Sequence, residues 1–356
     1  MSRIVVLGCG AWGTALALSL HRRQGHQVTL WAHSDELARQ ILGAHENTQF
    51  LPSFPLPETL AVTGDCTAVA EAEIVLSVVP SEFLRPVLGR LRPYLREGQI
   101  LLSATKGVEN QTYLRMTEVI AECLGKAAPG QGTAPTVPLS APCSLLPVPC
   151  SLPIGALSGP SFAQEVAQGQ PTALTVAFKD HTTAALIQRE FSSETLRLYT
   201  STDMVGVELG GALKNVIAIA AGIAAGAGLA NNSAAALITR GIAEITRLAV
   251  ACGARRETLA GLSGVGDLVL TCTGSLSRNR TVGQALGQGR KLPEILESLG
   301  GKVAEGVLTT RAALGLARKR GIEMPITEQM ELILNEGKNP REAIRELMLR
   351  PGKEEH

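Results

Sequence analysis

The sequence predicts an α/β fold: an N-terminal domain built on a doubly wound parallel sheet, followed by an all-helical C-terminal domain. Three observations carry this. The first half alternates short apolar, β-branched runs with helical patterns, as a doubly wound fold does. Those runs are continuously apolar rather than alternating, as strands buried on both faces of a parallel sheet are. From about Asp203 the strand patterns stop and long helical patterns run to the C-terminus. A chain of 356 residues is better served by two cores than by one. The expected domains are 1–200 and 201–356.

The first element explains most. Ile4-Val5-Val6-Leu7 reads as a strand, Gly8-Cys9-Gly10-Ala11-Trp12-Gly13 as a turn, and Thr14 to Leu20 as a helix. Strand, Gly-x-Gly-x-x-Gly, helix is the context that gives the glycines a mechanism. Gly8 permits the tight turn, Gly10 lets backbone approach a pyrophosphate, and Gly13 lets helix and strand pack closely. The helix N-terminus then offers free N–H groups and a positive dipole end to phosphate. This is a Rossmann-like dinucleotide site. The next strand, Gln27–Trp31, runs into Ala32-His33-Ser34. A site dedicated to NAD places Asp or Glu about there, on the ribose 2′-hydroxyl. Asp35 and Glu36 come late and open a helix behind a Ser34 N-cap. Without that carboxylate a 2′-phosphate is not repelled, so NADPH is expected as cofactor, with NADH also accepted.

The elements then follow in order. A helix near 36–42 leads into a loop holding Pro52, Pro55 and Pro57. Ile74 to Val79 is a buried strand closed by Pro80-Ser81, and 81–91 reads as a helix. Ile100 to Ala104 is a strand ending in Thr105-Lys106-Gly107, and 117–124 a helix. Residues 127–153 hold seven prolines and no charge, which excludes regular helix or central strand and predicts an extended surface insertion. Ile154 to Leu157, Thr172 to Phe178 and Leu196 to Thr200 are the remaining strands.

Composition removes several function classes. Thirty-three basic against 32 acidic residues leave a formal charge of +1, which gives nucleic acid or an anionic membrane surface nothing to hold. Seven scattered cysteines form no CxxC pair, which fits reduced thiols and a cytoplasmic protein. The chain begins almost at once with a strand, so no signal peptide is expected. The apolar stretch 216–230 is shorter than the 20 or so residues of a membrane span. The six histidines form no cluster with ligand spacing, so no metal is expected.

The helix expected over 204–230 is rich in Ala, Gly and Ile and should be buried nearly all round. Lys214 and Asn215 lie inside it, with Gly210 and Gly211 one turn earlier on the Lys214 face. The glycines would clear a path for a ligand. A buried ammonium has a depressed pKa and becomes a usable general acid or base. The pattern equally allows a structural ion pair with Glu208 or an incoming carboxylate. Gly261 to Leu268 is a glycine-rich turn carrying one acid, Asp267. Ser277 can cap a helix whose first residues include Arg278, Asn279 and Arg280, a combination suited to phosphate.

Taken in order, Gly8 to Ala17, Ala104-Thr105-Lys106-Gly107, Ser158-Gly159-Pro160-Ser161-Phe162-Ala163, Gly210 to Val216, Ser277 to Arg280, Glu305-Gly306 and Glu323 to Ile326 resemble the bacterial NAD(P)-dependent glycerol-3-phosphate dehydrogenases. The resemblance covers nearly the whole chain. The proline-rich insertion is its main departure. It implies reversible NAD(P)H-dependent reduction of dihydroxyacetone phosphate to glycerol 3-phosphate, feeding phospholipid synthesis, with no metal. It implies Lys214 as general acid and base. Lys106, Gly159, Ser161, Asp267, Ser277, Arg278 and Asn279 would contact the substrate or shape its pocket. Ala11, Trp12, His33, Lys106, Ala163, Arg278, Val303 and Glu305 would join Gly8, Gly10 and Gly13 at the dinucleotide. A homodimer is expected from the apolar faces of the helical domain. Two other readings stay open here: a β-hydroxyacid dehydrogenase of the same architecture, and a non-catalytic NADPH sensor.

Overall fold

The computed structural model describes residues 2–23, 25–125, 152–298, 304–352 and 354–355. Nearly all of the proline-rich insertion, and Val303, lie outside them. The chain divides into two compact units. The first comprises 1–105, 114–157 and 161–202; the second comprises 106–113, 158–160 and 203–356.

The first unit runs β1 (Arg3–Leu7), α1 (Ala11–Arg22), β2 (Gln27–Trp31), α2 (Asp35–Ala44), β3 (Glu46–Asn47), β4 (Leu51–Pro55), β5 (Ala61–Thr63), β6 (Ile74–Ser77), α3 (Ser81–Leu91), β7 (Ile100–Ser103), α4 (Met116–Cys123), β8 (Ile154–Ser158), α5 (Ala163–Ala167), β9 (Thr172–Phe178), α6 (His181–Phe191) and β10 (Leu196–Ser201). Eight strands form one sheet in the order β10-β9-β8-β7-β6-β1-β2-β5. The pairings recorded along it are parallel. β1 and β6 are buried at nearly every position, as their continuous apolar runs require, whereas the edge strand β10 alternates. The strand order reverses beside β1, and ligands of open α/β sheets bind at such switch points.

One expectation needs correcting. The proline-containing loop after α2 is partly a two-stranded antiparallel ribbon, β3 with β4. Proline is compatible with an edge strand, where no ladder N–H is required of it. The buried Asn47 side chain pins this ribbon, donating to the Cys9 carbonyl at 2.6 Å and the Thr14 hydroxyl at 2.8 Å.

The second unit is helical: α7 (Met204–Gly226), α8 (Asn231–Ala251), α9 (Arg256–Leu259), α10 (Asp267–Thr273), α11 (Arg278–Gly287), α12 (Leu292–Ser298), α13 (Glu305–Arg320), α14 (Pro325–Glu336) and α15 (Pro340–Met348). α7 is its axis and ends four residues before the expected Ala230. Gly228 takes φ +82° and Leu229 N–H returns to the Ala224 carbonyl. By length and composition α7 could cross a membrane, but 89% of its most apolar stretch is buried inside the protein.

Glycine makes close helix packing possible here. A Cβ at Gly222 or Gly226 of α7 would collide with backbone of α11, and one at Gly283 or Gly287 of α11 with backbone of α7. Small residues thus let two backbones meet directly, and the fit leaves no room for one methyl group.

Candidate functional site

The turn after β1 is built as a dinucleotide site must be. Gly8 holds φ +106°, strained for any side chain. A Cβ at Gly13 would collide with the Gly8 carbonyl, so only glycine lets α1 start this close to β1. A Cβ at Gly10 meets nothing within 4 Å, so this stretch of backbone stays open to an incoming group. α1 begins after Gly10 with no side-chain cap on its first N–H groups. Open backbone amides at a helix N-terminus fit a pyrophosphate. Ala11 and Trp12 are half-buried on the first turn of α1, and Ala163 opens α5. His33 is exposed two residues past β2. Burial pushes the Cys9 thiol in this loop up to about 11, so it stays an unreactive thiol near neutral pH.

The second unit gathers the polar residues of the other group. Asp267, fully buried, opens α10 and lies against two ammonium groups. Lys214 Nζ from α7 donates to its Oδ1, and Lys106 Nζ donates to its Oδ2 at 2.8 Å. Lys106 also donates to the Gly159 carbonyl at 3.0 Å. Lys214 has a second acceptor, the Thr271 hydroxyl at 2.7 Å, which itself donates to the Asp267 carbonyl at 2.6 Å. The Lys214 partner is thus Asp267, one of the incoming carboxylates that the sequence left open, rather than Glu208. Two lysines thus share one buried carboxylate, Lys214 itself buried and Lys106 part-buried. Burial lowers the Lys214 pKa to about 8; Asp267 opposes the fall, Lys106 adds to it, and Glu305 at the start of α13 opposes it weakly.

The glycines beside Lys214 do not open a path. A Cβ at Gly210 would collide with the Ser263 carbonyl and one at Gly211 with the Ser158 hydroxyl. They admit neighbouring chain, not ligand. The glycine-rich turn expected at 261–268 is π-helical over 262–266 and runs into α10. That winding directs Asp267 inward and sets Thr271 on the same helical face.

At α11, Ser277 caps the helix, accepting from the Arg280 N–H at 3.2 Å. Arg278 is exposed, with no hydrogen bond or ion pair recorded among the described residues. Asn279 is buried and committed internally: its amide donates to Asn215 Oδ1 at 3.0 Å and accepts from Gly306 N–H at 3.0 Å. It ties α7, α11 and α13 together beside Lys214. Ser161 lies in the first unit, Gly159 in the second. Sequence reasoning missed Thr271 and Asn47, and it placed Asn215 beside Lys214 without giving it a partner. Thr271 was within reach, since an acid and a hydroxyl four apart share a helix face. Asn47 had no local signal.

A parallel-sheet unit with this glycine turn, and a helical unit with two lysines on one buried carboxylate, define a nicotinamide-dependent oxidoreductase class. The comparisons specify which. The profile of the NAD-dependent glycerol-3-phosphate dehydrogenase N-terminus matches residues 3–143 and 144–184, and that of its C-terminus residues 203–345. The chain is 56% identical over 352 residues to a glycerol-3-phosphate dehydrogenase (NAD(P)+) of Koribacter versatilis, covering 99% of this chain and 98% of that one. It is 55% identical over 359 residues to that of Acidobacterium capsulatum, covering both entirely. The crystal structure of glycerol-3-phosphate dehydrogenase from Coxiella burnetii is similar with TM-score 0.87 and 37% identity, over 98% of this chain and 99% of that one. The chain belongs to the NAD-dependent glycerol-3-phosphate dehydrogenase family.

Proposed function

We infer that this chain reduces dihydroxyacetone phosphate to glycerol 3-phosphate, reversibly, with NADPH or NADH. The observation that carries this reading is the Lys106–Asp267–Lys214 group, two ammonium groups held on one fully buried carboxylate. When bound, the nicotinamide supplies a hydride to the carbonyl carbon. Negative charge then grows on the carbonyl oxygen, and ammonium groups held in place in a water-poor site stabilise that change. Lys214 gives the oxygen its proton in reduction and takes it back in oxidation; a pKa of about 8 suits both directions near neutral pH. Asp267 holds both ammonium groups in place and keeps Lys214 from falling to a pKa at which it would be neutral. Lys106 adds charge beside the oxygen and is held by the Gly159 carbonyl.

Arg278, with its cationic head unengaged among the described residues, and the capped start of α11 receive the substrate phosphate. Ser277 and Asn279 shape that seat, and Asn279 does so by bracing three helices. Gly159 and Ser161 complete the substrate contacts. Gly8, Gly10, Ala11, Trp12, Gly13, His33, Ala163 and Glu305 serve the dinucleotide, with Lys106 and Arg278 contacting both; Val303 belongs with them but lies outside the described residues. On this reading residues 1–200 hold most of the cofactor contacts and 201–356 most of the substrate and catalytic groups, with Lys106, Gly159 and Ser161 serving the substrate from the first span and Arg278, Val303 and Glu305 the cofactor from the second. The thiols at Cys9, Cys66 and Cys272, outside any disulfide, fit a reducing cytoplasm. Met348 and Leu349, 80% and 71% exposed near the C-terminus, fit a homodimer face.

The test is oxidation of NADPH and of NADH by purified protein with dihydroxyacetone phosphate or with hydroxypyruvate. Turnover restricted to the phosphorylated ketone supports the reading. Preference for the carboxylate, or binding of NADPH without turnover on either, overturns it.

A further inference from the structure

We propose that Arg90 binds the 2′-phosphate of NADPH and sets this chain's preference for NADPH over NADH. This rests on the reading that the turn after β1 holds a dinucleotide. In such folds the end of β2 faces the adenosine ribose: a carboxylate there holds a free 2′-hydroxyl, and a nearby arginine accommodates a 2′-phosphate. Here β2 ends at Trp31 and no carboxylate follows at once. Ser34 is committed to capping α2, accepting from Leu37 N–H at 3.3 Å. Glu36 is paired with Arg39 at 3.0 Å. What occupies the end of β2 comes from elsewhere in the chain.

Arg90, in the last turn of α3, lays its guanidinium 5.6 Å from the ring centroid of Trp31. Its Nη1 donates to the His33 carbonyl at 3.3 Å, and its Nη2 lies 3.9 Å from Cys66 Sγ. None of these partners is a carboxylate, so the cation is fixed in place without being neutralised among the described residues. Trp31 is fully buried and makes a rigid platform. A guanidinium has five N–H donors, and these contacts engage only part of the fork. Stacking and one backbone anchor pre-organise it, so less freedom is lost when it grips a phosphate. A dianionic phosphate beside the His33 backbone is the ligand chemistry this arrangement fits. A free 2′-hydroxyl would draw little from it.

The experiment is calorimetric titration of wild type, Arg90→Ala and Arg90→Lys with NADPH, NADH, 2′,5′-ADP and 5′-AMP. Loss of a charge-assisted phosphate contact is expected to weaken NADPH and 2′,5′-ADP about ten- to a hundredfold in Arg90→Ala, with NADH and 5′-AMP changed less than about threefold. Arg90→Lys keeps the charge but loses the fork and the stack, and should fall between. Equal loss for phosphorylated and unphosphorylated ligands, or no loss for either, would overturn the assignment while leaving the dinucleotide reading intact. A wild-type protein that binds none of the four would overturn both.

Discussion

Asp267→Asn separates the electrostatic role of the buried carboxylate from its shape. The amide is nearly isosteric and keeps an oxygen for one lysine, but the negative charge is gone. At about 4 Å and an effective dielectric of about 20, one unit charge is worth about 4 kcal/mol, or about 3 pH units of ammonium stabilisation. Water entry and the surviving amide oxygen return part of that. The net expectation is a fall of about one to two pH units from the wild-type position of about 8. The wild-type ammonium is about nine-tenths protonated at pH 7, and the variant's is between about half and a tenth. The sign follows from the role: reduction needs Lys214 protonated, so kcat/KM for dihydroxyacetone phosphate falls as pH rises through the pKa. Oxidation of glycerol 3-phosphate needs it neutral and rises through the same point. In Asp267→Asn both limbs move toward acid, measured by NADPH oxidation and NADP+ reduction from pH 6 to 10. Limbs that stay near 8, or move alkaline, in a variant that still binds NADPH would refute the electrostatic argument.

Arg278→Ala should raise the KM for dihydroxyacetone phosphate about ten- to a hundredfold with a smaller effect on kcat, because a charged contact to phosphate is lost in ground and transition state alike. Unphosphorylated dihydroxyacetone, whatever its rate, should be indifferent to the change. Glu244→Ala tests the helical unit's interior. Burial pushes the Glu244 pKa up, while α14 answers with three hydrogen bonds: from Ile326 N–H at 2.9 Å, Thr327 N–H at 2.9 Å and the Thr327 hydroxyl at 2.6 Å. Orphaning those buried donors should cost about 2–4 kcal/mol, read in denaturant melts, with Glu244→Gln milder.

The parallel sheet was legible because its strands announce themselves locally. β2 and β9 coincide with the expected spans, β1 begins one residue earlier than expected, and β6 ends two residues sooner. The glycine turn was legible too, since each glycine answers a local steric demand. The β3–β4 ribbon was not, because prolines hide strand character and the side chain that pins it, Asn47, bonds to a loop 38 residues away. Lys214 stood out as a charge in an apolar helix, but its partner lies 53 residues on, in a glycine-rich turn whose π-helical winding the sequence does not announce. Gly210 and Gly211 misled for another reason. An absent side chain marks a close approach without saying whether backbone or ligand makes it. Asn279 carried the right motif, yet its commitment to Asn215 and Gly306 exists only once three helices are assembled.

The claim at the centre of this account is that Lys214 moves the proton. Its most direct test is single-turnover oxidation of bound NADPH by dihydroxyacetone phosphate in Lys214→Met, which keeps the bulk of the side chain but cannot hold a proton. NADPH affinity should stay within about threefold of wild type, while the hydride-transfer rate falls by about 10²–10⁴, the range a general acid supplies. A variant that binds NADPH and still reduces the ketone within about tenfold of wild type would show that the buried lysine is structural and that the proton comes from elsewhere.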